Sequence, residues 1–415
     1  MSFEPPSSLS SSLGEIAVSR CDLFKTPPYS EEAGALTRRF LTPAHRAALE
    51  TLTGWMQAAG MAVRLDAAGT LSGRYEGSGG GKTLLIGSHI DSVRDGGAYD
   101  GALGVMLGLG VVEALARQGR RLPFAIEIMA FGDEEGSRFH ASMTGSRFCA
   151  GTLRDDPARL KDADGVSMGE AMRAFGLDPA RLRTPPRRED VFLYFEPHIE
   201  QGPVLEAENL PVGIVTGIAA QTRLAVTFTG MANHAGTTPM HLRKDALAAA
   251  AEAVLLVERI AAAAGIVGTV GTIAALPGVG NVIPGGCVVS VDLRAPLAGA
   301  RDAAERDLRA GLEEICARRG IGHEIQLVQQ LAACLCDEQA QGVLAAAIAG
   351  QGIKPFYLAS GAGHDAMSMA DFCPVAMLFI RCRAGVSHNP AEHVSVADVD
   401  AAARVMLGFL EGLAP

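Results

Sequence analysis

Thr83-Leu-Leu-Ile-Gly87-Ser-His89-Ile-Asp91 decides the fold. Its first half is a short apolar run, and its second half carries a histidine and a carboxylate. Read as a buried strand, the run delivers His89 to a strand's carboxyl end, where open α/β sheets place their sites. Asp91 lies two residues on and, in extended chain, faces the same side. Its carboxylate is therefore expected to accept the second ring N–H of His89. Taken alone, His-x-Asp is explained equally well by an ordinary turn.

The same arrangement recurs. Ala125–Phe131 is a second apolar run and leads into Gly132-Asp133-Glu134-Glu135-Gly136. Residues 191–195 are a third, followed by Glu196-Pro-His198-Ile-Glu200-Gln201. Val375–Ile380 is a fourth, followed by Ser387-His388-Asn389-Pro390-Ala-Glu392. Between them, residues 101–118 read as a helix whose Gly104, Gly108 and Gly110 allow close packing on a sheet. Residues 44–59 carry apolar residues at helical spacing behind Pro43. Short apolar runs separated by helices give an α/β fold with a mostly parallel sheet covered on both faces.

The middle of the chain has another texture. Residues 223–229 alternate as a half-buried strand does, and 245–264 form an Ala-rich helix. Strands over 267–273 and 287–293, a helix over 300–318 and a strand over 324–328 complete β-α-β-β-α-β, the split pattern of a ferredoxin-like domain. The expected organisation is one catalytic domain from residues 1–212 and 332–415, with an inserted domain over 213–331. Residues 1–12 are Ser/Pro-rich and read as a loose tail.

Composition bounds the function. A chain of 415 residues with 48% hydrophobic content supports two or three domains and a large core. A net charge of -10 argues against nucleic acid as a partner. Arg187–Arg188 and Arg318–Arg319 read as solvated surface. The eight cysteines form no C-x-x-C pair and read as buried reduced thiols, which points to a reducing compartment. The N-terminus lacks a basic region followed by an apolar stretch, and the apolar segment at 246–257 is interrupted by Glu252. The expectation is a cytoplasmic chain with no membrane partner.

The chemistry lies in the convergence of patches at strand ends. Three consecutive carboxylates at Asp133–Glu135 repel one another unless a cation neutralises them or the loop is solvated. Asp100, just before a helix, reads first as an N-cap. A lone histidine is more often structural, but four such patches at equivalent strand ends point to one metal centre. Histidine and carboxylate donors suit zinc, manganese, cobalt or nickel. One aspartate bridging two ions about 3.5 Å apart makes a two-metal site. Adjacent glutamates can then divide the work: one ligates, and Glu134 takes a proton from water. The expected reaction is hydrolysis of a carbonyl–nitrogen bond.

Seven motifs in order carry a family resemblance: Gly-Ser-His-Ile-Asp-Ser-Val, Asp-Glu-Glu-Gly-Ser-Arg-Phe, His-Ile-Glu-Gln-Gly-Pro, Asn-His-Ala-Gly-Thr-Thr-Pro-Met, Asn-Val-Ile-Pro-Gly, Ser-Gly-Ala-Gly-His-Asp-Ala and Ser-His-Asn-Pro-Ala-Glu. Together they resemble the metal-dependent M20 peptidase/amidase family, in its hydantoinase/carbamoylase-type branch, over roughly residues 35–412. The resemblance implies His89, Asp100, Glu135, His198 and His388 as ligands of two divalent ions, with Asp100 as the bridge and Glu134 as the base. Asp91 joins the catalytic set as the orienting carboxylate. The resemblance implies His234 as a histidine that reaches a neighbouring subunit's site and stabilises the oxyanion. It implies Asn281 and Arg294 on the substrate carboxylate, where a planar guanidinium is apt. It also implies Gln201, Gln221, Gly363 and His364 as further substrate contacts. The inserted domain would be a lid and the joint of a homodimer. The implied substrate is a small carboxylate bearing a ureido group, allantoate first, with N-carbamoyl-L-amino acids and N-carbamoyl-β-alanine as alternatives. A dipeptidase or aminoacylase, or a silent binding protein, stands further off. His45, His140, His241, His323 and His393 read as structural.

Overall fold

The computed structural model describes residues 12–153 and 156–414. The loose tail expected over 1–12 lies outside them, apart from Ser12. Ser12 starts the helix Leu13–Phe24. Its hydroxyl accepts the Glu15 N–H at 3.2 Å, and the Glu15 carboxylate accepts the Ser12 N–H at 3.0 Å. That reciprocal pair satisfies two otherwise orphaned donors.

Contacts divide the chain into two compact units. The first contains Met1–Thr216, Leu335–Leu358 and Gly363–Pro415. At its centre run parallel strands in the order Ala125–Phe131, Thr83–His89, Val191–Ile199, Val375–Ile380. Successive side chains of a strand face opposite sides, and nearly every residue here is buried, so both faces of this sheet are covered. This is why the strands read as continuous apolar runs. The helix Ala102–Arg117 packs close to the sheet at two of its glycines. A Cβ at Gly104 would stand 2.1 Å from the Pro197 carbonyl, and one at Gly108 would stand 3.0 Å from Ile128. Gly110 has nothing nearer than Leu13 at 3.9 Å, so its expected packing role is not met.

Antiparallel strands flank the parallel ones. Leu71–Tyr75 pairs with Ala125–Phe131, Ala62–Leu65 with Leu71–Tyr75, and Val212–Ile218 with Val375–Ile380. The first two form a hairpin that hydrophobic patterning does not reveal, because Ala62–Leu65 is mostly exposed. Its signal is the turn. The Asp66 carboxylate accepts the N–H groups of Ala68 and Thr70 at 2.8 and 2.9 Å, and Gly69 takes φ 79°.

The third run was expected to end at residue 195, yet the strand continues to Ile199 and carries Glu196 and His198 within it. Pro197 removes one ladder donor. Pairing with Thr83–His89 is registered only to Phe195, whereas pairing with Val375–Ile380 continues to Ile199. The missing N–H therefore falls where one neighbour has already left.

At the strands' amino ends the reading of Arg188 as solvated surface is corrected. Its side chain is 16% exposed and donates to Glu127 at 2.6 Å and to Asp190 at 2.7 and 3.0 Å. Glu127 is buried inside a strand and needs a counter-cation there.

The second unit contains Gly217–Cys334 and Ala359–Ala362. Its antiparallel strands lie in the order Gly322–Leu331, Ala220–Thr229, Gly286–Ala295, Val267–Leu276. Helices Ala246–Ala264 and Ala298–Arg319 complete the split β-α-β-β-α-β pattern. Alternate residues Leu224, Val226 and Phe228 meet Val289, Val291 and Leu293 in a core closed by Val257, Leu308 and Leu312. All eight cysteines are buried. Among the described residues, no helix is long and apolar enough to cross a membrane.

Candidate active site

His89 ends its strand with Nδ1 3.0 Å from the backbone carbonyl of Asp91. The Asp91 carboxylate stands 3.8 Å from that nitrogen, so the expected carboxylate–histidine bond is replaced by a carbonyl one. The carboxylate instead accepts the N–H groups of Glu134 and Glu135 at 3.2 and 3.3 Å. Asp91 thus anchors the next strand's end, where Asp133 turns the chain at φ 65°.

Asp100 is not the N-cap of the helix that follows. Gly101 holds that place at φ 65°, with no side-chain cap bond. A Cβ on Gly101 would stand 2.5 Å from the His89 ring, so both the turn and the ring require glycine. The Asp100 carboxylate is left to face histidines on two sides. Oδ1 lies 3.6 Å from His89 Nε2 and 3.2 Å from His198 Nε2. Oδ2 lies 3.1 Å from His388 Nε2, which is also 3.6 Å from Glu135 Oε1. Two donor sets result, one of His89, Asp100 and His198 and one of Asp100, Glu135 and His388, each with its atoms within 4.8 Å. They share Asp100, with one oxygen turned to each. Glu134 forms a further set with His89 and Glu135.

The electrostatics fit a cation. His198 Nδ1 lies 2.8 Å from the Ile199 carbonyl, and His89 Nδ1 is likewise placed against a carbonyl. Those partners put the ring protons on Nδ1 and turn the Nε2 lone pairs toward Asp100. A lone pair facing a carboxylate is repulsive unless a positive charge stands between them. His198 Nε2 and Glu135 Oε1 are buried with no hydrogen-bond partner, which suits metal donors. Burial, then the Asp100 charge, pushes the Glu135 carboxyl up to about 7. Burial, then Glu135 and Asp365, holds Glu134 well above the usual carboxylate range against the opposing pull of His89. The bond to Asp100 pushes His388 up to about 9.

The first unit also brings Gln201 and His364 to this place. The Gln201 amide donates to Asp100 Oδ2 and to Ser387, both at 3.1 Å. The His364 ring lies edge-on to His198 with centroids 4.5 Å apart, and neighbouring Gly363 is exposed. Three nearby residues carry no role in the sequence reading: Ser387, Glu392 and Asp365. The last is fully buried, and burial with the Glu196 charge pushes its carboxyl up to about 8.

Gln221, His234, Asn281 and Arg294 belong to the second unit. His234 is exposed in the short strand Asn233–His234, and the neighbouring Ala235 N–H donates to the Asn281 carbonyl at 2.9 Å. Arg294 stands directly opposite Gln221 across two strands. Asp292 binds both, accepting Arg294 at 2.9 and 3.0 Å and Gln221 at 2.8 Å. Another Arg294 N–H goes to the Gly361 carbonyl. Three of the five guanidinium donors are engaged there and two remain. Arg294 is thus already held in a salt bridge, by a carboxylate two residues away on its own strand.

A covered, mostly parallel sheet with paired donor sets at its carboxyl ends defines an α/β scaffold of the kind that holds two metal ions. The chain belongs to peptidase family M20/M25/M40, whose model matches residues 85–412. It is 42% identical to an N-carbamoyl-L-amino acid amidohydrolase of Geobacillus stearothermophilus over 91% of this chain and 93% of that one. It is 37% identical to allantoate deiminase 1 of Glycine max over 97% and 90%. The crystal structure of an amidase of the hydantoinase/carbamoylase family from Burkholderia multivorans superposes with a TM-score of 0.89 at 32% identity, covering 96% and 97% of the two chains. Within the family, this chain groups with the hydantoinase/carbamoylase amidases and is a hydrolase of carbon–nitrogen bonds other than peptide bonds.

Proposed function

We propose that the chain hydrolyses the ureido group of a small carboxylate, with allantoate as the first substrate. The observation that carries the reading is Asp100, whose two oxygens face separate donor sets. His89 and His198 would hold one ion, Glu135 and His388 the other, and Asp100 both. Zinc or manganese suits these donors, as do cobalt and nickel. Two divalent ions, when bound, lower the pKa of water and polarise the scissile carbonyl. Glu134 is buried within reach of both sets and is not needed as a ligand. It takes a proton from the attacking water and hands it to the departing nitrogen.

The second unit is assigned the lid and the homodimer joint. His234 would serve the oxyanion in a neighbouring subunit, and Asn281 and Gln221 would contact substrate. Arg294, with its two remaining donors, would take the substrate carboxylate. Gly363 and His364 would line the pocket on the first unit. Six buried free thiols, at Cys21, Cys149, Cys287, Cys316, Cys373 and Cys382, suit the cytoplasm.

A second reading, hydrolysis of N-carbamoyl-L-amino acids, is favoured by the 42% identical relative. An ammonia-release assay with Mn²⁺, Co²⁺ or Zn²⁺ decides, comparing allantoate, N-carbamoyl-L-amino acids and N-carbamoyl-β-alanine. Fastest release from allantoate supports the first reading. Fastest release from a carbamoyl amino acid replaces it, and release from none overturns both.

A further inference from the structure

We propose that Glu392 is a positioning residue that closes a ring of hydrogen bonds around Asp100, and that this ring sets how tightly the His388-side ion is held. The proposal rests on the reading of Asp100 as the shared ligand. Glu392 Oε1 accepts the N–H groups of Tyr99 and Asp100 at 2.8 and 3.1 Å. Its Oε2 accepts the Ser387 hydroxyl at 2.8 Å. Gln201 Nε2 donates to Ser387 Oγ and to Asp100 Oδ2, each at 3.1 Å.

Donors and acceptors match without remainder. Ser387 has one proton and two carboxylates in reach, Glu392 at 2.8 Å and Asp100 at 3.2 Å. The nearer carboxylate takes the proton. The Ser387 oxygen is then free to accept from Gln201, whose second N–H goes to Asp100. The ring leaves from the Asp100 N–H and returns to its Oδ2. Oδ2 is thereby pinned beside His388, and Oδ1 is turned to His89 and His198. The closure is long-range, since Glu392 and Asp100 are 292 residues apart. It also explains Gly97, where a Cβ would stand 2.2 Å from the Glu392 carboxylate.

Glu392→Gln reverses part of the ring. The amide oxygen still accepts the two backbone N–H groups, but the amide nitrogen can only donate to Ser387. The Ser387 proton must then turn to Asp100 Oδ2, which becomes a poorer ligand. Outer partners of metal ligands are worth about 10–100-fold in affinity, and that loss is expected for one ion only. Gly97→Ala makes the same test without changing a ring member, because it displaces Glu392.

The test is calorimetric titration of the metal-free full-length chain with Mn²⁺ alone, beside thermal melting of the same metal-free samples. The expected result is two ions in the wild type. In both variants one ion is weakened about 10–100-fold and the other stays within about threefold, and in Glu392→Gln the metal-free melting temperature is preserved. Two ions of wild-type affinity in Glu392→Gln would overturn the ring. Equal weakening of both ions with a lowered metal-free melting temperature would reduce Glu392 to a structural residue and overturn the proposal. Absence of any ion in the wild type would instead overturn the metal reading beneath it.

Discussion

At the amino ends of the central strands, Glu127 and Asp190 face Arg188 and Arg74. At the carboxyl ends of the same strands, Asp91, Asp100, Glu134 and Glu135 gather with His89, His198 and His388. There, among the described residues, no arginine or lysine stands within ion-pair distance of those carboxylates. Asp190 at one end and the adjacent glutamates at the other are shifted in opposite directions. Bonding to Arg188 holds Asp190 well below the usual carboxylate range. Burial and neighbouring carboxylates push Glu134 and Glu135 above it. Buried carboxylates cost folding energy at both ends. The amino end offsets that cost with its own cations, and the carboxyl end leaves room for cations from outside.

The sharpest way to break this contrast is Glu134→Gln. Turnover should fall by about 10²–10⁴, the range for a lost general base, with metal content unchanged. Near-wild-type ammonia release would remove Glu134 from the mechanism. Arg188→Ala attacks the other end. It leaves buried Glu127 with only Arg74 at 3.8 Å. Denaturant melts should show a loss of about 3 kcal/mol, while ion uptake stays as in the wild type. A loss under about 1 kcal/mol would make the amino-end cluster an ordinary surface pair.

The smallest expected effect is a pH dependence. His388 is pushed up to about 9 and Glu135 up to about 7, so both carry protons near neutrality when no ion is bound. Both shed them as pH rises, and an entering ion competes with those protons. Apparent ion affinity should therefore rise about tenfold or more from about pH 6 to about pH 8, with protons released on binding. A flat profile would contradict the assignment of these residues as ligands.

How much of this was legible in the sequence follows from what is local. The four apolar runs and the histidines or carboxylates that follow them lie close together in sequence, so strand ends and candidate donors could be read together. The split pattern of the second unit was legible for the same reason, because alternation marks each half-buried strand. Contacts between distant segments were not legible. Nothing near Arg188 announces Glu127, nothing near Arg294 announces that Asp292 also holds Gln221, and nothing near Glu392 announces Asp100. The role of Asp91 was misjudged because residues two apart share a side in extended chain, whereas its carboxylate is taken by the amides of Glu134 and Glu135. The strand beyond residue 195 is not legible because the apolar run stops there, whereas pairing with Val375–Ile380 carries the strand on to Ile199.

The most direct test of the central claim is the ion stoichiometry of the chain with and without Asp100. Metal-free wild type titrated with Mn²⁺ should take up two ions, and Asp100→Ala should lose tight binding of both, because one carboxylate serves the two donor sets. Two ions still held tightly by Asp100→Ala, or none held by the wild type, would contradict the account.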